Sequence, residues 1–226
     1  MYFPEKITCI KAGDKVLEIG PGALPHPRSD VLLEKTFGNK DEHVRQCGGT
    51  PAALTDTRTV YYDGGAFPFG DGEFDYVICS HVIEHVPDLE FFCAEMFRVA
   101  RAGYLEFPLI YYDFVFNIPE HLNLCIQRGG TLFYAEKARI LSPELKPIQE
   151  LWYTALSSGY TDTVSDLAPY LMQGFEWTTP FVVRKAEGIE DLIHERLNIP
   201  SKPSKPSLFA RVRRKIKKLL TVNGSL

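Results

Sequence analysis

The stretch KVLEIGPGALP, Lys15 to Pro25, decides how the rest of the chain is read. Val16–Ile19 is a short apolar run without alternation, the pattern of a strand buried on both faces. It runs directly into Gly20-Pro21-Gly22. Glycines at such a point let the chain turn tightly and let a ligand approach the backbone. In an open α/β sheet this is the carboxyl end of the first strand, where ligands bind. A dinucleotide loop would place a third glycine at the start of a long helix facing pyrophosphate. Here Pro25 occupies that position, and His26-Pro27-Arg28 does not read as a helix start. Glu18, inside the strand, would repel a phosphate and suits an amino group or a sulfonium instead.

Four further runs have the same character: Val31–Leu33, Thr59–Tyr62, Phe74–Cys79 and Tyr104–Leu109. Between the last two, Leu89, Phe92, Cys93, Met96 and Phe97 recur at helical spacing, and Pro87 and Asp88 are suitable helix-start residues. Strands alternating with helical segments predict an α/β fold built on a parallel sheet. Two more acids stand at strand ends, Glu34 after Val31–Leu33 and Asp63 after Thr59–Tyr62. A carboxylate at the second strand end can accept both hydroxyls of a ribose, and Asp63-Gly64 can hold an adenine amino group. In the second half, 121–127 and 131–136 flank Arg128-Gly129-Gly130 as a predicted hairpin. Leu141 to Met172 reads as partly helical, Glu176–Lys185 as a strand interrupted by Pro180, and Ile189–Leu197 as a short helix.

The series VLEIGPG, VLLEK, YYDGGAFPF, GEFDYVICSHVIEHV and GYLEFP resembles a class I S-adenosylmethionine-dependent methyltransferase of the bacterial small-molecule type. The resemblance covers roughly residues 13–109 and is specific as an ensemble rather than motif by motif. It implies a Rossmann-like, seven-stranded, mostly parallel sheet with flanking helices and a late antiparallel strand. It also implies S-adenosylmethionine as methyl donor, with S-adenosylhomocysteine as product. Carried over by position, Glu18, Gly20, Pro21 and Gly22 would contact the methionine part and Glu34 the ribose. Lys35 or Arg28 would share the ribose corner, Asp63 and Gly64 would hold the adenine with Phe67 nearby, and Ser80 and His81 would line the methyl-donor end. Only thirteen residues separate Gly20 from Glu34, Pro25 and Pro27 among them, so the family's first helix must be very short or absent.

The expected function is methyl transfer to a small-molecule or sugar-like acceptor at oxygen. Such a displacement needs donor and acceptor held in line, and a base only when the acceptor is protonated. Three histidines are candidates for that base: His81 and His85 in His81-Val82-Ile83-Glu84-His85, and His121 after the fifth strand. If this stretch opens a helix, His81, Glu84 and His85 share one face. No acid or cysteine cluster is placed to complete a metal site around His81 and His85, and none is expected; His43 with Cys47 is a weaker pair. Tyr111, Tyr112, Phe114 and Phe116 either line an acceptor pocket or pack in the core. The fourth strand ends in Cys79-Ser80-His81 and Phe107 precedes Pro108. Neither motif of the base-methylating enzymes is present, so nucleic acid is disfavoured as the acceptor.

Charge is divided unevenly. The total is −4, yet residues 201–226 carry eight basic residues and no acid, while 1–200 carry 17 basic and 29 acidic. The predicted organisation is a methyltransferase domain over 1–198, a Pro/Ser/Lys linker over 199–207 and a basic amphipathic tail helix over 208–226. The tail, through 208–220, is expected to pack on the body or a second copy, with a membrane surface as the next choice. The alternative to an enzyme is an inactive methyltransferase-like module working in membrane-peripheral assembly through that tail. Five cysteines without a CxxC predict free thiols, and the first residues carry no apolar run of signal-peptide type, so a cytoplasmic location is expected.

Overall fold

The computed structural model describes residues 1–36, 38, 56–139 and 143–193. His43, Cys47, the predicted linker and the predicted tail helix lie outside the described residues. The chain runs through β1 (Val16–Ile19), β2 (Val31–Lys35), β3 (Arg58–Tyr62), β4 (Phe74–Ser80), α1 (Leu89–Val99) and β5 (Ala100–Pro108). It continues through α2 (Ile110–Phe116), β6 (Asn123–Arg128), β7 (Thr131–Glu136), α3 (Lys146–Ser157), α4 (Asp162–Leu171), β8 (Met172–Trp177) and β9 (Val182–Lys185).

The main sheet has the order β3-β2-β1-β4-β5-β8. Its first five strands are parallel, and β8 runs antiparallel along β5. The expected seven strands are therefore six among the described residues. The predicted strand over Glu176–Lys185 is in fact the end of one strand and the whole of another. β8 ends at Trp177, the chain turns through 178–181, and β9 joins β6 and β7 in a separate three-stranded sheet. Pro180, which has no N–H to give a ladder, lies in that turn. The predicted hairpin is present as β6–β7, turned at Gly129-Gly130, but it belongs to this smaller sheet.

Burial follows the apolar runs. All four residues of β1, the first four of β2 and four consecutive residues of β4 are buried. β3 departs from the prediction because it is the sheet edge, and Tyr61 is exposed there. The α1 helix starts where the sequence predicts. Asp88 is its cap, with the carboxylate accepting from the Phe91 N–H at 2.9 Å. Leu89, Phe92, Cys93, Met96 and Val99 are its buried face. Residues 20–30, between β1 and β2, form turns and no helix, as Pro25 and Pro27 dictate. No helix among the described residues is long and apolar enough to cross a membrane, and Cys9, Cys79, Cys93 and Cys125 are free thiols.

One glycine holds the late strand in place. A Cβ at Gly103 would lie 2.6 Å from the Val77 carbonyl oxygen and 2.8 Å from Cζ2 of Trp177. Gly103 thus lets β4, β5 and the Trp177 ring come together without a gap. Gly103→Ala is expected to destabilise the chain by about 1–3 kcal/mol, the usual cost of overpacking, as measured by urea denaturation. An unchanged midpoint would contradict this packing.

Candidate active site

The site begins with a charged residue in the apolar second half of β5. Glu106 of β5 is fully buried. Its carboxylate accepts from the Tyr104 hydroxyl at 2.5 Å, the Ser80 hydroxyl at 3.2 Å and the backbone N–H groups of Tyr2 at 2.6 Å and Phe3 at 3.0 Å. His81 Nε2 lies 2.9 Å from the same carboxylate, and the His81 N–H donates to the Glu106 carbonyl at 2.8 Å. These two contacts hold His81 in a left-handed conformation, φ 58°, that a non-glycine residue adopts only when its surroundings require it. Tyr2 packs edge-on against the His81 ring at 5.4 Å.

Burial would push the Glu106 carboxyl up, but the hydrogen bonds and the charge of His81 hold it down at about 2. Burial would likewise lower the His81 imidazole. Hydrogen bonds to Glu106 and Glu84 outweigh that and raise it to about 9. At neutral pH His81 is a cation paired with two carboxylates. This corrects its place among the candidate bases, because a protonated imidazole cannot accept a proton.

Beyond His81 the chain does not form the α-helix that would align His81, Glu84 and His85. It makes a single 3₁₀ turn over Ile83–His85. That turn is fastened by the segment leading into β6. The Leu122 N–H donates to the Glu84 carbonyl at 2.6 Å, and the Asn123 side-chain amide donates to the Ile83 and Val86 carbonyls at 3.2 and 2.7 Å. The fastening brings His121 beside His85, with ring centroids 4.8 Å apart. His121 Nδ1 sits 2.7 Å from Asp113 Oδ2, and His85 Nδ1 sits 3.0 Å from the Glu120 carbonyl. Asp113, on α2, is buried. Burial lowers the His85 imidazole, leaving it neutral at pH 7 despite the opposing charge of Glu84. Burial would raise the Glu84 carboxyl, but the His81 hydrogen bond and the surrounding imidazoles hold it at about 2.

One cavity of 1130 Å³ joins these parts. Gly20, Pro21, Gly22, Glu34, Lys35, Asp63 and Gly64 line one end, and Ser80, His81, Glu84, His85 and His121 line the other. Gly20 and Gly22 have φ of 59° and 60°. A Cβ on Gly20 would strike Val82 Cγ2 at 2.6 Å, whereas one on Gly22 would meet open space. The loop therefore packs on one side and leaves its backbone accessible on the other. Glu34 is buried at the end of β2, and the Lys35 chain lies over Gly64.

Two expected cofactor contacts are not among the lining residues. Glu18 is buried, and one of its oxygens accepts from the His26 N–H at 2.7 Å and the Ser29 hydroxyl at 2.6 Å. It pins the 20–30 loop rather than facing a ligand. Phe67 packs edge-on between Tyr62 and Phe92. Of the four aromatic residues after β5, only Tyr112 lines the cavity; Phe116 is buried against α4, and Phe114 is exposed. The sequence reading missed Glu106 and Asp113. Each is an acid inside an apolar run, GYLEFP and IYYDFVF, and a charge in such a run must have a buried partner.

Residues 40–106 match a family model described as a methyltransferase domain. Over these residues the chain is similar to a methyltransferase domain. An uncharacterized methyltransferase of Mycobacterium sp. (strain KMS) is 43% identical over 91 residues, which are 40% of this chain and 36% of that protein. The ubiquinone biosynthesis O-methyltransferase of Methylococcus capsulatus is 32% identical over 113 residues, 46% of this chain and 45% of that one. The chain thus spans less than half the length of these relatives. A solved structure, YcgJ from Bacillus subtilis, aligns with a TM-score of 0.33 at 20% identity, over 48% of this chain and 54% of that one. Class I methyltransferases use S-adenosylmethionine and release S-adenosylhomocysteine.

Glu106 fastens the start of the chain, the end of β4 and His81 together. Glu106→Gln leaves His81 without its closest carboxylate and is expected to cost about 3–5 kcal/mol at pH 7, the range for breaking a buried ion pair. The folded carboxyl lies at about 2 against an ordinary 4.5, so between those values the unfolded chain binds the proton more tightly. The stability Glu106 supplies is complete above pH 4.5 and is lost as the pH falls towards 2. The variant's deficit in urea denaturation should therefore shrink from pH 7 to pH 3, and an equal deficit at both would contradict the pairing.

Proposed function

We propose that the chain transfers a methyl group from S-adenosylmethionine to a hydroxyl oxygen of a small-molecule acceptor. The observation that supports this most is the continuity of one cavity between the glycine loop with its carboxylates and the floor made by Glu84, His85 and His121. The residues present fit the cofactor. Gly22 offers open backbone, Glu34 brings a buried carboxylate for the ribose hydroxyls, and Asp63 with Gly64 stands where the adenine edge would lie. When bound, the cofactor supplies an electrophilic methyl on a sulfonium. Ser80 and His81, at the end of β4, border the region between its two ends and position whatever lies there.

Transfer to oxygen requires the acceptor hydroxyl to lose its proton and to lie in line with the sulfonium carbon. His85 is neutral at pH 7 and can accept that proton, with Nδ1 committed to the Glu120 carbonyl and Nε2 left for the acceptor. His121 is oriented in the same way by Asp113. Tyr112, Tyr153, Leu156, Val164 and Met172 add aromatic and apolar surface to the cavity lining, which suits an acceptor with a hydrophobic face. Calorimetry with S-adenosylhomocysteine tests the reading. One molecule should bind per chain, and Glu34→Ala should weaken it by about tenfold or more, the loss of a hydrogen bond to a charged group. Absence of binding to folded protein would overturn the function, and undiminished affinity of the variant would overturn the ribose assignment.

A further inference from the structure

We propose that Glu84, His85 and His121 form a binding site for a divalent transition-metal cation on the floor of the cavity. Each offers one donor atom, and these atoms lie within 4.8 Å of one another. Glu84 and His121 are buried and His85 is half-buried, so the three are not a surface cluster that water would satisfy.

Three independent features of the side chains point to a cation. Both imidazoles are held from behind: Asp113 backs His121 at 2.7 Å, and the Glu120 carbonyl backs His85 at 3.0 Å. A carboxylate and a carbonyl only accept, so Nδ1 of each ring is the donor and Nε2 is the nitrogen left to face the cavity. Metal-ligating histidines are ordinarily held by such an acceptor on the ring nitrogen away from the metal. Glu84 Oε2 is buried and has no hydrogen-bond partner, which is costly for a carboxylate unless something else faces it. Finally, the imidazole and the carboxylate do not satisfy each other. His85 Nε2 is 3.9 Å from Glu84 Oε1, beyond hydrogen-bond reach.

The donor set, two imidazole nitrogens and one carboxylate oxygen, suits zinc, iron, cobalt or manganese better than calcium or magnesium. This corrects the expectation of no metal site. Sequence spacing pairs His81 with His85, whereas the fold turns His81 towards Glu106 and brings His121 in its place. All three donors line the cavity, so a bound cation would have its remaining positions open to it. With a cation bound, His85 Nε2 is a ligand and no longer the base; on the methyltransferase reading the open positions then favour an acceptor that offers a hydroxyl beside a second oxygen, the cation lowering the hydroxyl's pKa so that water can take its proton.

The test uses the full chain, freed of metal with a chelator, and titrates zinc chloride by calorimetry. One ion should bind per chain. His121→Ala should weaken binding by at least about tenfold, and Asp113→Asn, which leaves all three donors in place, by about 10- to 100-fold. A crystal soaked in zinc chloride should show an anomalous peak against Nε2 of His85 and His121, which needs no variant to fold. Binding weaker than about 1 mM, affinity unchanged in folded His121→Ala, or a peak elsewhere would overturn the site. S-adenosylhomocysteine binding without zinc binding would remove the cation site alone, and zinc binding without it would remove the methyltransferase reading alone.

Discussion

The structure depends on a single buried carboxylate. Glu106 lies inside β5, an interior strand of the main sheet, where an unpaired charge would be prohibitively unfavourable. Its oxygens are satisfied by two backbone N–H groups at the start of the chain, two hydroxyls and one imidazolium. The solvation of one charge therefore fixes three things at once: the path of residues 2–3 over the sheet, the end of β4, and the left-handed turn at His81. That turn directs the chain into the tight 3₁₀ turn carrying Glu84 and His85. Without the ion pair, the left-handed backbone at His81 would rest on its N–H bond to the Glu106 carbonyl.

The other half of the site is set by the smaller sheet. β6 begins two residues after His121, and Asn123 and Leu122 clamp the Ile83–His85 turn through its carbonyls. Asp113 and Lys137 add a second buried charge cluster behind His121, with Lys137 also donating to the Ile118 carbonyl. Main-sheet and small-sheet elements thus each supply part of one polar floor. The division of labour is physical. The glycine loop and the carboxylates at the ends of β2 and β3 lie on one side, and the imidazoles lie on the other.

Much of this is legible in the residues. Buried strands read as apolar runs: β1, β2 and β4 stand where VLEI, VLL and FDYVIC place them, while β5 starts at Ala100, four residues before the run Tyr104–Leu109. Helix α1 follows its apolar period to within a residue at either end, because Asp88 caps it and Val99 passes directly into β5. Pro25 and Pro27 excluded a first helix. What the residues do not reveal is partnership across distance. Nothing local says that Met172–Trp177 and Val182–Lys185 belong to different sheets, since both have strand character and only the turn containing Pro180 divides them. His81 and His85 look like partners from their spacing, yet the φ of 58° at His81 separates them. His121 meets Asp113 because α2 ends at Asn117 in the left-handed conformation and the chain doubles back. Glu18 reads as a ligand group and is instead consumed by its own loop, because Ser29 and the His26 N–H reach it first.

The central claim is that one cavity holds the methyl donor with its reacting end towards the imidazole floor. A crystal structure of the complex with S-adenosylhomocysteine tests it most directly. The expected result is the ribose against Glu34, the adenine beside Asp63 and Gly64, and the sulfur between Ser80 and the floor formed by Glu84, His85 and His121. A complex with the sulfur turned away from that floor, or with the nucleoside outside the cleft between Gly20 and Gly64, would contradict it.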